Sequence, residues 1–179
     1  MAYWGSNLVT GTTVAAALTS APTYSKPAPS VAQAGQIAHQ RAKISFASGV
    51  NLAINDVIEM MVIPARHVVV DFVLTNSDMD TATTVVCQAG MMTGTPGDIT
   101  RVQTAVGAEL IPAGATVLQA AALSRAGVVA GGVTLASTLA LQGLEPATTD
   151  KSIGIAITTA PTNPATARDL ILDVWYKAV

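Results

Sequence analysis

Apolar and polar residues alternate with a period of two in several short segments of the chain. The segment Asp169–Lys177 (DLILDVWYK) places Leu170, Leu172, Val174 and Tyr176 on one face and its charged residues on the other. Comparable segments are Lys43–Ser48, Val57–Ile63, His67–Thr75, Thr83–Gly90, Val133–Leu141 and Ser152–Thr159. Short segments of this kind, separated by Gly, Pro, Asn and Asp, are typical of antiparallel strands. They predict an all-β protein, an antiparallel β-sandwich or jelly roll.

Individual segments differ in how clearly they predict a strand. Val57–Ile63 is a nearly continuous apolar run that ends at Pro64, and His67–Thr75 places Val70, Phe72 and Leu74 on one face. The stretch 116–125 (TVLQAAALSR) is ambiguous, because its alanines favour a helix while its position favours a strand.

A short motif occurs twice in the chain. Met61–Ala65 (MVIPA) precedes a run of valines, and Glu109–Ala113 (ELIPA) precedes Val117. Proline cannot donate to a sheet ladder and is therefore found at strand ends and edges. The two copies predict two similar hairpin corners, each with a strand, a Pro-Ala turn and a second strand.

The first 41 residues differ in composition from the rest. They contain three prolines, many Ala, Ser and Thr residues, and a single charge before Arg41, at Lys26. Proline disfavours continuous sheet or helix, so residues 20–36 are expected to be extended or irregular. Thr13–Ala21 is expected to form a helical turn or two, ended by Pro22. The predicted organisation is an extended N-terminal arm over residues 1–41 and a β-domain over residues 42–179.

Charge is unusually scarce in this chain. Only 11% of the 179 residues are charged, although half are hydrophobic, whereas typical domains carry roughly 25% charged residues. A monomer needs surface charge to remain soluble and unassociated. The composition therefore favours a component of an assembly, with much of its surface covered by neighbours.

The same composition argues against several classes of partner. Nine Lys and Arg residues are spread singly along the chain, so nucleic acid is not expected as a partner. No stretch approaches the roughly 20 apolar residues that cross a bilayer, and no membrane partner or signal peptide is expected. The single cysteine, Cys87, excludes an internal disulfide and agrees with assembly in a reducing cytoplasm.

Residues that carry enzyme chemistry are few. His39 and His67 are the two histidines, and neither a nucleophile elbow, a phosphate-binding loop nor zinc-ligand spacing is present. His67 is expected in a turn or interface, His39 to be solvated or in contact with a subunit, and Cys87 to be a buried structural residue. Asp56 and Glu59 are expected on opposite faces of a strand and so form no acid–base pair. We therefore expect no catalytic site, cofactor or metal.

One acidic cluster needs a separate interpretation. Asn76–Thr81 (NSDMDT) is rich in side-chain oxygens, and Ca²⁺ prefers six to eight oxygen ligands. The segment lacks the spacing and the glycine of a calcium loop. A turn stabilised by Asp and Asn side chains between two strands is the favoured interpretation.

The run from Asp56 to Gly90 (DVIEMMVIPARHVVVDFVLTNSDMDTATTVVCQAG) resembles the head decoration, or cement, proteins of tailed bacteriophages. The later segments GAELIPAGATVLQ and ITTAPTNPATARDLILDVWYKAV also resemble that family, so the resemblance covers roughly residues 42–179. The chain departs from the family in its longer N-terminal arm and in Arg66-His67, where a Gly-Ala turn is more usual. The resemblance implies a β-sandwich or jelly roll that binds the outer capsid surface as an oligomer, often a trimer, and bridges capsid subunits.

These observations give a leading hypothesis and an alternative. The leading hypothesis is a structural virion protein, not an enzyme, that binds the major capsid protein and copies of itself, with a trimer favoured over a dimer. The alternative is a receptor- or glycan-binding β-module of a virion spike or fibre, which the scarcity of aromatic residues disfavours. The residues expected to contact partners are Tyr3, Trp4, Leu8, Val9, Tyr24, Met91, Met92 and Arg101.

Overall fold

The structure of the chain is a computed structural model that describes residues 2–10, 12–20, 37–98, 109–136, 147–163 and 167–179. Eleven strands and one short helix occur within these residues. They are β1 (Tyr3–Gly5), α1 (Asn7–Thr10), β2 (Ile37–Phe46), β3 (Val57–Ile63), β4 (His67–Asn76), β5 (Val86–Met91), β6 (Glu109–Ala115), β7 (Ala122–Arg125), β8 (Val129–Ala130), β9 (Val133–Thr134), β10 (Lys151–Thr159) and β11 (Arg168–Ala178). No helix among the described residues has the length and apolar character to cross a membrane.

Nine of the strands form the two facing sheets of a jelly roll. The four-stranded sheet has the order β2-β11-β4-β7, and the five-stranded sheet has the order β1-β3-β10-β5-β6. Strand pairs are nested in the sequence: β2 pairs with β11, β3 with β10, β4 with β7 and β5 with β6, all antiparallel. One long hairpin folded across two sheets gives this pairing, so the predicted sandwich of jelly-roll type is confirmed.

The core lies between the two sheets and contains the inward faces of the alternating strands. In β2, Ala42, Ile44 and Phe46 are buried, and in β11 the predicted face of Leu170, Leu172, Val174 and Tyr176 is buried. β4 differs from its prediction at Val70, because a β-bulge there shifts the register of the pair with β11. Val68 and Val69 are buried instead, whereas Phe72 and Leu74 point inward as predicted.

β3 is apolar throughout because it is covered on both faces. All seven of its residues are buried. One face contacts the core, and the other lies beneath the segment that follows β5, where the backbone N–H of Gly97 donates to Glu59 Oε1 at 3.3 Å. A strand buried on both faces does not need alternation, which explains its continuous apolar sequence.

The repeated Pro-Ala motif does not form two hairpin corners. The first copy connects β3 to β4, which lie in different sheets, so it is a crossing between the layers of the sandwich. Pro112 of the second copy lies inside β6 and not in a turn. Since β6 is the edge strand of its sheet, a residue without an N–H is tolerated there.

The N-terminal residues also differ from their prediction. Residues 12–20 contain no helix; the one helix of this region is α1, which precedes them. β2 begins at Ile37, five residues before the predicted start of the β-domain, and β1 adds to β3 as a parallel edge strand. The stretch 116–125 is a turn followed by β7. Of the predicted strand Val133–Leu141, only β9 is a strand, and residues 137–141 lie outside the described residues.

Candidate interaction surface

The outward side of the four-stranded sheet carries an ion-pair network. We define the outer face as its outward-pointing residues, which are His39, Arg41, Lys43, Ser45, Asp71, Val73, Thr75, Leu123, Arg125, Asp169, Ile171, Asp173, Trp175 and Lys177. These side chains point away from the core because they alternate with the buried positions of β2, β4, β7 and β11.

Asp173 is the centre of this network. Arg41 donates to its carboxylate twice, from Nε at 2.9 Å and from Nη2 at 3.1 Å, and His39 Nε2 lies 2.8 Å from Oδ1. Burial alone would raise the pKa of the Asp173 carboxyl, but the hydrogen bonds from Arg41 and His39 outweigh it and lower that pKa. The same contact raises the pKa of the Arg41 guanidinium. The cross-strand pairs therefore hold both charges in place.

Asp169 forms a second pair nearer the other end of β11. Ser45 Oγ donates to Oδ1 at 2.5 Å and Lys43 Nζ donates to Oδ2 at 2.9 Å. These hydrogen bonds, Ser45 first, lower the pKa of the Asp169 carboxyl. Trp175 lies between the charged groups, with its ring 4.7 Å from that of His39. Because Arg41 and Lys43 are paired with Asp173 and Asp169 within the chain, a neighbour that covers these four residues need not supply counter-charges for them.

Four of the residues predicted to contact partners are buried within the chain. Tyr3, Trp4, Val9 and Met92 are between 0% and 7% exposed. Tyr3 donates its hydroxyl to Glu59 Oε2 at 2.6 Å, and Trp4 donates its indole N–H to Asp56 Oδ2 at 3.3 Å. In this fold the two aromatic residues bind the N-terminal segment to its own domain.

The other four predicted contact residues are distributed as follows. Leu8 and Met91 are partly exposed and pack against the main core. Tyr24 and Arg101 lie outside the described residues. The structure therefore does not bring the eight residues together in one surface. The outer face was missed as a site, although the alternation in Asp169–Lys177 placed Trp175 and the two aspartates on one side of a strand.

The N-terminal segment also covers the edges of both sheets on one side of the sandwich. β1 covers β3, and residues 13–15 exchange backbone hydrogen bonds with Ser45 at 2.6 and 2.8 Å. Asn7 Oδ1 accepts from the backbone N–H of Lys43 at 2.6 Å. Covered edges prevent unwanted strand pairing between copies.

The acidic cluster at Asn76–Thr81 is a closed turn. Asp80 is fully buried and accepts hydrogen bonds from backbone N–H groups of Ala82, Thr84, Val85 and Asn163 at 2.7–3.1 Å, and from the Thr84 hydroxyl at 2.6 Å. Asp78 Oδ1 accepts from the backbone N–H of Asp80 at 2.9 Å, which is an Asx turn. The favoured interpretation is confirmed, because the oxygens of Asp80 are occupied by donors.

The residues considered for catalysis occupy structural positions. Cys87 is fully buried, and burial raises the pKa of its thiol to about 12. His67 Nδ1 lies 2.8 Å from the carbonyl oxygen of Ala65 in the turn before β4. Asp56 and Glu59 each bind a different residue of the N-terminal segment. Within the described ranges, no group of three or more His, Cys, Asp or Glu side chains has the arrangement of a metal site.

The fold is similar to that of proteins in phage capsids. A chain of the capsid of Ralstonia phage GP4 has 27% sequence identity and a TM-score of 0.67, over 86% of this chain and 90% of that chain. A chain of the cyanophage Pam1 capsid asymmetric unit has 16% identity and a TM-score of 0.53, over 86% of this chain and 93% of that one. The second similarity concerns the fold alone. No family model and no curated protein sequence matches the chain. The first similarity supports a structural protein of the phage-capsid type.

Proposed function

We propose that this chain is a capsid decoration, or cement, protein that binds the outer capsid surface of a tailed bacteriophage. It binds the major capsid protein and stabilises contacts between neighbouring capsid subunits, and its role is structural and not enzymatic. The observation that carries this proposal is the similarity to a chain of the Ralstonia phage GP4 capsid, which extends over nearly all of both chains. Because the two chains share one fold and are nearly equal in length, we expect them to have the same kind of role.

The surface chemistry of the chain supports association with neighbours. Arg41, Lys43, Asp169 and Asp173 make their ion pairs within the outer face. Covering these two pairs removes matched charges from water, which costs less than burying an unpaired ion. The apolar residue Ile171 lies between these pairs and Trp175 lies beside the Asp173 pair, and interface centres are rich in such residues.

A homo-oligomer, a trimer in preference to a dimer, is part of the proposal. Each contact of one copy with the shell is weak, and joining several copies raises the effective concentration of the remaining contacts once one has formed. The described N-terminal residues, 2–10 and 12–20, pack on their own domain. The proposed contact of the N-terminal region with shell subunits therefore belongs to residues 21–36, which include Tyr24.

The proposal is tested by adding the purified chain to shells that lack it. We expect stoichiometric binding to the outside of the shell in cryo-electron microscopy and a higher temperature of shell disruption. A variant in which residues 21–36 are replaced by a Gly-Ser linker of equal length should bind more weakly but remain folded. Assembly of closed shells by this chain alone would overturn the proposal in favour of a major shell protein, and failure to bind any shell would overturn it outright.

A further inference from the structure

The edge of β7 is an open sheet edge in the part of the chain that the structure describes. The backbone N–H of Ala126 donates to the carbonyl oxygen of Phe72 in β4 at 3.3 Å. Because backbone groups alternate in direction along a strand, Ser124 also faces β4, whereas Leu123 and Arg125 direct their backbone groups outward. Among the described residues, nothing bonds the N–H of Leu123 or Arg125.

The other long edges are covered or less suitable. β3 is covered by β1, and the carbonyl oxygen of Leu110 in β6 accepts from Ala136 at 3.1 Å. The second half of β2 is bonded to residues 7–15. The first half of β2 carries His39 and Arg41, whose side chains are engaged with Asp173. Charged side chains on an edge strand disfavour the addition of another strand, and β7 carries one, Arg125, against the two engaged side chains of this part of β2.

A groove of about 360 Å³ runs beside the open edge of β7. Its lining includes Thr116, Val117, Ala122, Leu123 and Ser124, and none of its ten lining residues is charged. The Ser124 hydroxyl is buried and makes no hydrogen bond to any described residue, although buried hydroxyls are normally bonded. Leu123 exposes 61% of its surface beside it.

We propose that β7 accepts an extended, uncharged segment of the shell protein as an additional strand. This inference rests on the proposed function and names the contact through which it operates. The outward N–H groups of Leu123 and Arg125 and the carbonyl of Leu123 bond the incoming backbone, which is the general mode of strand addition. A side chain of the segment enters the groove and bonds the Ser124 hydroxyl. An ionised side chain is excluded, since the neutral lining offers it no counter-charge.

Hydrogen exchange measured on the intact chain, free and bound to undecorated shells, tests this site directly. We expect the amides of Leu123 and Arg125 to exchange at least about tenfold more slowly in the bound state, because they become hydrogen-bonded. The amides of His39 and Arg41, on the open part of β2, serve as the internal control and should remain unchanged. Binding without protection at β7 overturns strand addition but leaves the decoration role. Failure to bind shells overturns both.

Two substitutions separate the backbone from the side chain. Leu123→Pro removes an outward N–H that makes no bond to β4, and we expect shell binding about tenfold weaker, whereas Leu123→Ala keeps the N–H and should bind within about threefold of the natural chain. Equal effects of the two variants would contradict a backbone contact. Protection of β7 that rises with protein concentration in the absence of shells would assign the edge to a second copy and overturn the proposal. If Leu123→Pro does not fold, the exchange measurement on the unmodified chain decides.

Discussion

Trp4 donates its indole N–H to Asp56 Oδ2 at 3.3 Å, which joins the N-terminal strand to the residue that precedes β3. The same buried carboxylate accepts hydrogen bonds from the backbone N–H groups of Ala2 and Ala53. The Trp4 ring also packs edge-on against Phe46 at 5.7 Å. One carboxylate thus connects β1, the loop before β3 and the core, and the N-terminal strand is a part of the folded domain.

Replacing this carboxylate should release the N-terminal strand. We expect Asp56→Ala to lower the free energy of unfolding by about 2–4 kcal/mol, because three donors lose their buried acceptor. The emission of Trp4, measured in a Trp175→Phe background, should shift to longer wavelength as the ring becomes hydrated. Asp71→Ala on the outer face is the matched control, with an expected loss within about 1 kcal/mol. Unchanged Trp4 emission in Asp56→Ala would show that Asp56 does not hold the strand.

The alternation of residues predicted most of the strands because their inward and outward sides differ. Asp169–Lys177 lies within β11, and its four predicted inward residues are buried. The sequence pattern wrongly ended the strand of β6 at Pro112, and it misplaced Val70, where a bulge shifts the alternation of inward and outward residues. A bulge depends on the partner strand, which a single segment does not encode.

The interaction surface was harder to predict than the fold. Tyr3 and Trp4 were expected to bind partners because aromatic residues are frequent at interfaces, but their acceptors, Glu59 and Asp56, lie more than 50 positions away in sequence. Composition shows which residue types are present, but it does not show which distant residue each of them contacts. The outer face likewise depends on the neighbour relationship of β2, β11 and β4, which appears only once the nested pairing is known.

The turn at Asp80 should make the fold sensitive to acid. Burial would raise the pKa of its carboxyl, but hydrogen bonds from Thr84, Asn163 and Ala82 outweigh it and hold that pKa below its ordinary value. A carboxyl with a lowered pKa contributes stability above its pKa in the unfolded chain, about 3.9. That contribution is lost as the pH falls further, because the unfolded chain takes up the proton first.

We therefore expect the free energy of unfolding to fall from about pH 5 downward, with Asp80 as a main contributor. Asp80→Asn should be less stable at pH 7 by about 2–3 kcal/mol and should lose less between pH 5 and pH 2 than the natural chain does. Denaturant titrations at a series of pH values measure both quantities. Asp78→Asn, whose side chain accepts one hydrogen bond from its own turn, is the control. Equal acid dependence in Asp80→Asn and the natural chain would contradict this assignment.

Arg168 should be replaceable by an apolar residue without loss of stability. Its side chain is buried and stacks over the Phe46 ring at 5.6 Å, and its Nη2 donates to the carbonyl oxygen of Val50. Its Nε and Nη1 have no hydrogen-bond partner in the described part of the chain. Burial accordingly lowers the pKa of the guanidinium. We expect Arg168→Met to raise the free energy of unfolding by about 1 kcal/mol, since an unpaired buried charge is removed and the volume is kept. A loss of more than 1 kcal/mol in thermal or denaturant unfolding would show that the Arg168 contacts outweigh its burial.

Gly154 and Met92 should be energetically coupled. A Cβ at Gly154 would lie 2.3 Å from Met92 Sδ, closer than any van der Waals contact allows. We expect Gly154→Ala to cost about 1–3 kcal/mol alone, and clearly less when Met92→Ala is also present, because the truncated side chain leaves room. Unfolding free energies of the four variants of this double-mutant cycle measure the coupling. Additive losses would show that the Met92 side chain does not contact position 154. They would then agree with the partner contact that the sequence predicted for Met92.

The part of the outer face that β2 and β11 form, away from β7, should hold copies of the chain together. Trp175 lies between Asp71 and His39 on neighbouring strands. A carboxylate at position 175 would repel those of Asp71 and Asp173. It would also add an unpaired charge to the surface expected to contact another copy. We expect Trp175→Glu to sediment as a monomer at concentrations where the natural chain sediments as an oligomer.

The far-ultraviolet circular dichroism of Trp175→Glu should be unchanged, because Trp175 points away from the core. Thr134→Glu, on exposed β9, is the matched control and should remain oligomeric. The monomeric variant should also bind shells more weakly by at least about 100-fold, since avidity is lost. An oligomer that persists in Trp175→Glu would exclude the outer face as the contact between copies.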